Sequence, residues 1–173
     1  MFTSALFCVA FGAFYAFLSL LAARRGLEPV GLAYTVYGAS IILTRILTAN
    51  LLDRPDRTQV IAPTLLVTGV ALLGFAFADN WPLLLASAAL MAAGSGVSHP
   101  ALIALFVDRM PDSERGRATA SFYLAFDLGI GMGNWLLGPV LGSFGLTGMF
   151  LLAAGISLAG VATTGLLKRG SGG

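Results

Sequence analysis

The chain has 173 residues, of which 57% are hydrophobic and 10% charged, with a net charge of +2 and a mean hydropathy of +0.88. A water-soluble domain carries about 25% charged residues, so this chain has too little charge to cover a water-facing surface and reads as an integral membrane protein. Its basic residues sit at the ends of apolar runs and form no patch, which argues against nucleic acid as a partner. A single cysteine, Cys8, and a single histidine, His99, cannot build an internal disulfide or a structural zinc site, and no metal or cofactor is expected.

The first apolar run predicts a helix over about Thr3 to Ala23. No basic residues precede it, and Arg24 and Arg25 follow it, so it reads as a retained span and not as a cleaved signal peptide. A second helix is expected over about Gly31 to Leu52, and "DRPDRTQ" ends it. The third runs over about Val60 to Ala78 and stops at "DNWP"; the fourth runs over about Pro82 to Val107 and stops at "DRMPDSERGR". The fifth is expected over about Ala118 to Gly142 and the sixth over about Leu146 to Leu167, with "SFG" between them. The remaining "KRGSGG", residues 168–173, reads as a disordered tail. Helices of this length cross a hydrocarbon core of about 30 Å at about 1.5 Å per residue. The runs are too long and lack the period-two alternation of a membrane β-barrel. The expected fold is therefore an all-α membrane protein in which residues 1–167 form six transmembrane helices.

Lys and Arg in short loops set orientation. Arg54, Arg57, Arg109, Arg115, Arg117, Lys168 and Arg169 fall on one side, against Arg24 and Arg25 on the other. Both termini are expected to be cytoplasmic, with Arg24 and Arg25 pulling the other way. Six spans divide into two sets of three, compatible with a 3+3 inverted repeat.

Ionisable residues inside spans are rare and usually face a bundle interior or a water-filled cavity. Counted from the cytoplasmic span ends, Asp127 lies roughly 13 Å deep, Arg45 roughly 10 Å and His99 roughly 12 Å. The shared depth predicts that Asp127 and Arg45 pair, either to fix helix packing or as a substrate or proton site. His99 precedes Pro100, which frees a carbonyl in the preceding turn; with Ser95 and Ser98 it suggests a polar-lined stretch facing a cavity. Gly129, Gly131, Gly133 and Gly138 read as a stripe for close helix packing, as do Gly94 and Gly96. Ser95 and His99 lie four apart, as a hydrolytic pair could, but no third member or oxyanion loop accompanies them, and the chain is not expected to be an enzyme.

"RILTANLLDRPDR" resembles the major facilitator superfamily signature at the cytoplasmic end of the second helix of each half, with Arg45, Asp53, Arg54 and Arg57 matching it and Asn50 and Asp56 where the family usually has glycine. "HPALIALFVDRMPDSERGRATASFYLAFDLGIGMGNWLLGP" is similar to the family's tenth and eleventh helices with their Arg-Gly loop. "NWLLGPVLGS" partly resembles the family's glycine-proline antiporter motif, with Asn134 in place of its first glycine. The resemblance covers nearly the whole chain and only the C-terminal six-helix half of a twelve-helix transporter. It implies half of a secondary active transporter that moves a small solute across a bacterial cytoplasmic membrane by alternating access, with a proton as coupling ion. The first and fourth spans would line the cavity, and the second and fifth would face a missing N-terminal half or a second copy. Asp53, Arg54, Arg57 and Asp108 would form a charge cluster in the cytoplasmic loops. His99, Asp127, Arg45, Ser95 and Asn134 are the candidates for the substrate or proton site. A truncated, transport-inactive remnant is the alternative.

Overall fold

The computed structural model describes residues 2–52, 58–108 and 110–170, with side chains between 4 and 162 except at 50–59 and 109. Asp53, Arg54 and Arg57 lie outside the described residues. The described elements are helical: α1 (Phe2–Arg24), α2 (Gly31–Leu52), α3 (Thr58–Ala76), α4 (Trp81–Val107) and α5 (Arg115–Gly170), with one 3-10 turn at Asp112–Glu114 before α5. By length and composition α1, α2, α4 and α5 can each cross a membrane, and Val60–Ala76 of α3 is a shorter apolar helix.

Several expected boundaries move. α5 continues to Gly170, into the stretch 168–173 read as a tail. It also carries the expected fifth and sixth helices without a three-residue connection, as 56 residues that break at Gly145, where φ is 68° and ψ is −174°. Glycine has no Cβ to clash at positive φ, so one residue suffices to redirect the chain. Unbroken, 56 residues would extend roughly 84 Å. Instead the two segments pack on different partners. Before the break, Phe126 lies 6.2 Å from Phe7 of α1. After it, Phe150 lies 5.8 Å from Phe75 of α3, and Ser157 Oγ donates to the Leu65 carbonyl at 2.9 Å. Gly160 then sits beside Leu65 and Leu6, back at the level of Phe7, so the chain doubles back at Gly145.

One end of the bundle is gathered by Arg25. Its Nη1 donates to the Phe75 carbonyl at 3.2 Å and its Nη2 to the Ala76 carbonyl at 2.7 Å and to Thr147 Oγ1 at 3.1 Å. Asp79 Oδ1 lies 3.4 Å from Nη1. A helix C-terminus leaves carbonyls without partners and carries partial negative charge, and a guanidinium satisfies both needs. α3 accordingly ends at Ala76, two residues before its expected boundary at Ala78. Asn80 then starts α4, its Oδ1 accepting from the Leu83 N–H at 3.0 Å. Arg25 is therefore a structural residue on the side where the Lys and Arg count expects few.

Helix association in lipid depends on close contact, because lipid is as apolar as the side chains it would displace. A Cβ on Gly133 would come within 2.9 Å of the Val9 Cα, and one on Gly12 within 2.9 Å of Asn134 Oδ1 and 3.2 Å of the Ile130 carbonyl. Gly129 meets Cys8, so α1 and the first segment of α5 share one glycine-lined seam. Gly94 abuts Thr64 and Thr68 of α3, and Gly96 abuts Ile41 and Thr44 of α2. Gly131 and Gly138, expected in the same stripe as Gly129 and Gly133, face open space; at a helical pitch they fall on the other side of α5. α2 is the least covered helix, with 11% of its span buried against 50% for α1 and α4. It packs on α4 and has no comparable seam with α5.

Two stability outcomes follow. Gly133→Leu should lower the stability of the detergent-purified chain by about 1–3 kcal/mol, the cost of overpacking a tight site, while Gly131→Leu leaves it unchanged. Equal effects on the thermal midpoint would contradict the seam. Arg25→Gln should cost about 1.5–3 kcal/mol, the range for hydrogen bonds to a charged group. Arg24→Gln should cost little by the same midpoint measurement; a neutral Arg25→Gln would show that the carbonyls find other partners.

Candidate functional site

α4 distributes its polar side chains over three neighbours because successive helical residues turn by about 100°. Ser98 Oγ donates to Thr64 Oγ1 of α3 at 2.6 Å, fully buried. Ser95 Oγ donates to the Met91 carbonyl at 2.7 Å and shares a 3.0 Å hydrogen bond with Tyr37 Oη of α2. Both serines therefore cement helix contacts, and the expectation that they line a cavity is not met. Ser95 is also engaged by Tyr37 and not by His99, so the two do not form a nucleophile–base pair.

His99 faces the first segment of α5. Its ring stacks on Phe126 with centroids 4.6 Å apart and planes at 30°, stands edge-on to Tyr123 at 5.9 Å, and lies 6.2 Å from Phe122. Its Nε2 is buried and has no hydrogen-bond partner among the described residues. On the α2 side, Ile41 and Thr44 rest on Gly96, which sets Arg45 at the level of His99. On the α5 side, Asp127 directly follows Phe126. These contacts bring Arg45 and Asp127 near the level of His99.

The expected ion pair between Asp127 and Arg45 does not form. Among the described residues the ion pairs include Arg25–Asp79 and Arg115–Asp112, but Arg45 and Asp127 are both exposed and neither contacts the other. The reason is topological: α4 packs on α2 and also touches α5, while α2 and α5 share no substantial contact, so the two charges sit on helices that do not pack on each other. Asn134 lies seven residues beyond Asp127, roughly 10 Å along α5, in the α1 seam at Gly12, with its Oδ1 buried and without a hydrogen-bond partner among the described residues. It belongs to the seam and not to the His99 level. Asp108 closes α4, its backbone N–H donating to the Ala104 carbonyl; the rest of the expected loop cluster lies outside the described residues. A cleft of about 320 Å³ near that end is lined by Phe106, Met110, Glu114, Arg117, Ala118 and Ser121, beyond Phe122 from His99.

Sequence reasoning missed the aromatic partners. Tyr15, Tyr34 and Tyr37 form a second aromatic group on α1 and α2: Tyr15 lies 6.0 Å from Tyr37, and Tyr34 Oη bonds the Tyr15 carbonyl and Ser19 Oγ. Tyr15, Phe122, Tyr123 and Phe126 continue the line through Phe11, which lies 4.8 Å from Tyr15 and 5.8 Å from Phe126. The available signal was four tyrosines and three phenylalanines on the first, second and fifth spans, Tyr123 and Phe126 within a turn of Asp127.

The sequence comparisons agree with this architecture. A profile of the Major Facilitator Superfamily matches residues 1–170. The chain is 35% identical over 167 residues to an uncharacterized MFS-type transporter of Pseudomonas aeruginosa, covering 96% of this chain and 42% of that protein. It is 32% identical over 159 residues to an uncharacterized MFS-type transporter of Burkholderia mallei, covering 92% of this chain and 39% of that protein. The chain thus spans about two-fifths of the length of these relatives. No solved structure matches it. With a membrane-spanning helical architecture and a profile match along nearly its whole length, the chain belongs to the Major Facilitator Superfamily.

Proposed function

We propose that the chain is one body of a secondary active transporter that moves a small solute by alternating access, with the Arg45–His99–Asp127 level on the solute path. The observation that carries this reading is the exposure of two opposite charges that do not pair, at membrane depth, on the two helices that both contact the helix of His99, whose Nε2 is buried and without a hydrogen-bond partner among the described residues. A charge facing hydrocarbon costs about 2.5–3.5 kcal/mol on insertion scales, so these side chains belong against water. Histidine changes charge near neutral pH, which suits a proton as coupling ion. The doubled-back α5 supports six transmembrane helices, one half of a major-facilitator bundle with a 3+3 inverted repeat. The basic residues of the loops support cytoplasmic termini.

The uncovered sides of α2 and α5 support a second body. Ile42, Leu43, Ile46 and Leu47 on α2, and Leu124, Leu128, Met132 and Trp135 on α5, are all more than half exposed. They flank the charged level, so a missing N-terminal half or a second copy resting on them would enclose a space over His99.

The test is thiol accessibility in bacterial membranes, in a Cys8→Ala background. His99→Cys and Asp127→Cys should react with a water-soluble methanethiosulfonate about tenfold faster than Leu152→Cys on the far side, because hydrocarbon holds no water for the reagent. Equal rates at the three positions would place the level in lipid and remove the transport reading.

A further inference from the structure

We propose that the Arg45–His99–Asp127 level selects a zwitterionic solute, one carrying an ammonium and a carboxylate or similar anionic group at its two ends. This rests on the transport reading above and names the solute class for the same site.

The argument starts from what each side chain still needs. The Arg45 guanidinium has five donors and no acceptor; its fork suits a carboxylate or phosphate. The Asp127 carboxylate only accepts, and suits an ammonium. Had the chain needed only to neutralise the two, they would meet. Instead α4 holds them apart: Thr44, the residue before Arg45, rests on Gly96, and Phe126, the residue before Asp127, stacks on His99. These contacts fix the backbone just before each charged residue, so the separation is built into packed elements and not into flexible side chains.

A lone anion at this level would satisfy Arg45 and be repelled by Asp127. A lone cation would meet the reverse. A solute with both charges satisfies both and lies across the imidazole. The wall behind it is apolar and aromatic, with Phe126 and Phe122 buried and Tyr123 at the edge, which suits a short hydrocarbon stretch between the charged ends. The partly exposed His99 ring forms the floor between the two charges, its Nε2 being buried. The competing role for two unpaired charges is to pair with charges of the covering body. That role predicts no preference among small solutes.

The experiment measures binding to the full chain in lipid nanodiscs by saturation-transfer NMR, which reads weak affinities. The probes are the ω-aminocarboxylates from glycine to 6-aminohexanoate, each beside the carboxylate and the amine of equal length. At least one aminocarboxylate should saturate at a concentration about tenfold below both single-charge analogues, because each analogue leaves one protein charge unmatched. Arg45→Gln and Asp127→Asn should each erase the preference. The exchanged variant Arg45→Asp with Asp127→Arg should restore it with the solute reversed, which separates loss of charge from loss of fold. Equal saturation by zwitterion, carboxylate and amine overturns the proposal, as does a preference that survives both single substitutions or an absence of binding by every probe. If thiol labelling still finds His99→Cys and Asp127→Cys open to water, only the solute class falls; if labelling fails as well, the transport reading falls with it.

Discussion

The Arg25 guanidinium is the contact on which the arrangement of this bundle turns. It takes the last carbonyls of α3, reaches Thr147 just past the Gly145 break, and sits at the close of α1. One side chain thereby brings three chain reversals to one end of the molecule: α1 to α2, α3 to α4, and the fold of α5 on itself. Its side chain is 15% exposed while that of Asp79 is 80% exposed, so the carboxylate adds little and the carbonyls matter most. Helix ends without partners are costly in a low-dielectric setting, and an arginine supplies several donors from one charge.

Between the ends, small residues do the work that hydrophobic burial does in water. The Gly12–Gly129–Gly133 seam brings α1 and α5 into backbone contact, and Gly94 and Gly96 seat α4 on α3 and α2. Buried hydroxyls complete these seams: Thr64 and Thr68 return to carbonyls of their own helix, and Ser157 crosses to Leu65. The rotation of α4 decides that Ser98 meets α3, Ser95 meets Tyr37, and His99 meets the α5 aromatics. A proline directly after His99 removes one backbone donor at this point, and Pro100 lies inside the helix without ending it.

The charges illustrate how a depth estimate differs from a contact. Counting residues from span ends placed Arg45, His99 and Asp127 at one level. Depth says nothing of azimuth, however. Two helices that both touch a third need not touch each other, and α2 and α5 both touch α4 without substantial contact between them. The cost of burying lone charges is then met by leaving both on an open face, where water, a solute or a second body can reach them.

By itself the sequence determined that this is a helical membrane protein, since no soluble arrangement can hide so much apolar surface with so little charge. It also determined where most helices begin and end, because Asp, Pro and Gly interrupt the apolar runs, and it marked Arg45, His99 and Asp127 by their rarity in such runs. Only the tertiary structure decided how the helices pair, and four outcomes depended on that. Gly129 and Gly133 face α1 while Gly131 and Gly138 face outward; Ser95 and Ser98 serve helix contacts; Arg25 binds a distant helix end; and Asp127 stays apart from Arg45. Each is a matter of which face of a helix meets which neighbour. Hydropathy is nearly uniform around these helices, so the faces carry no amphipathic stripe for a sequence to display, and close contact between backbones selects them instead.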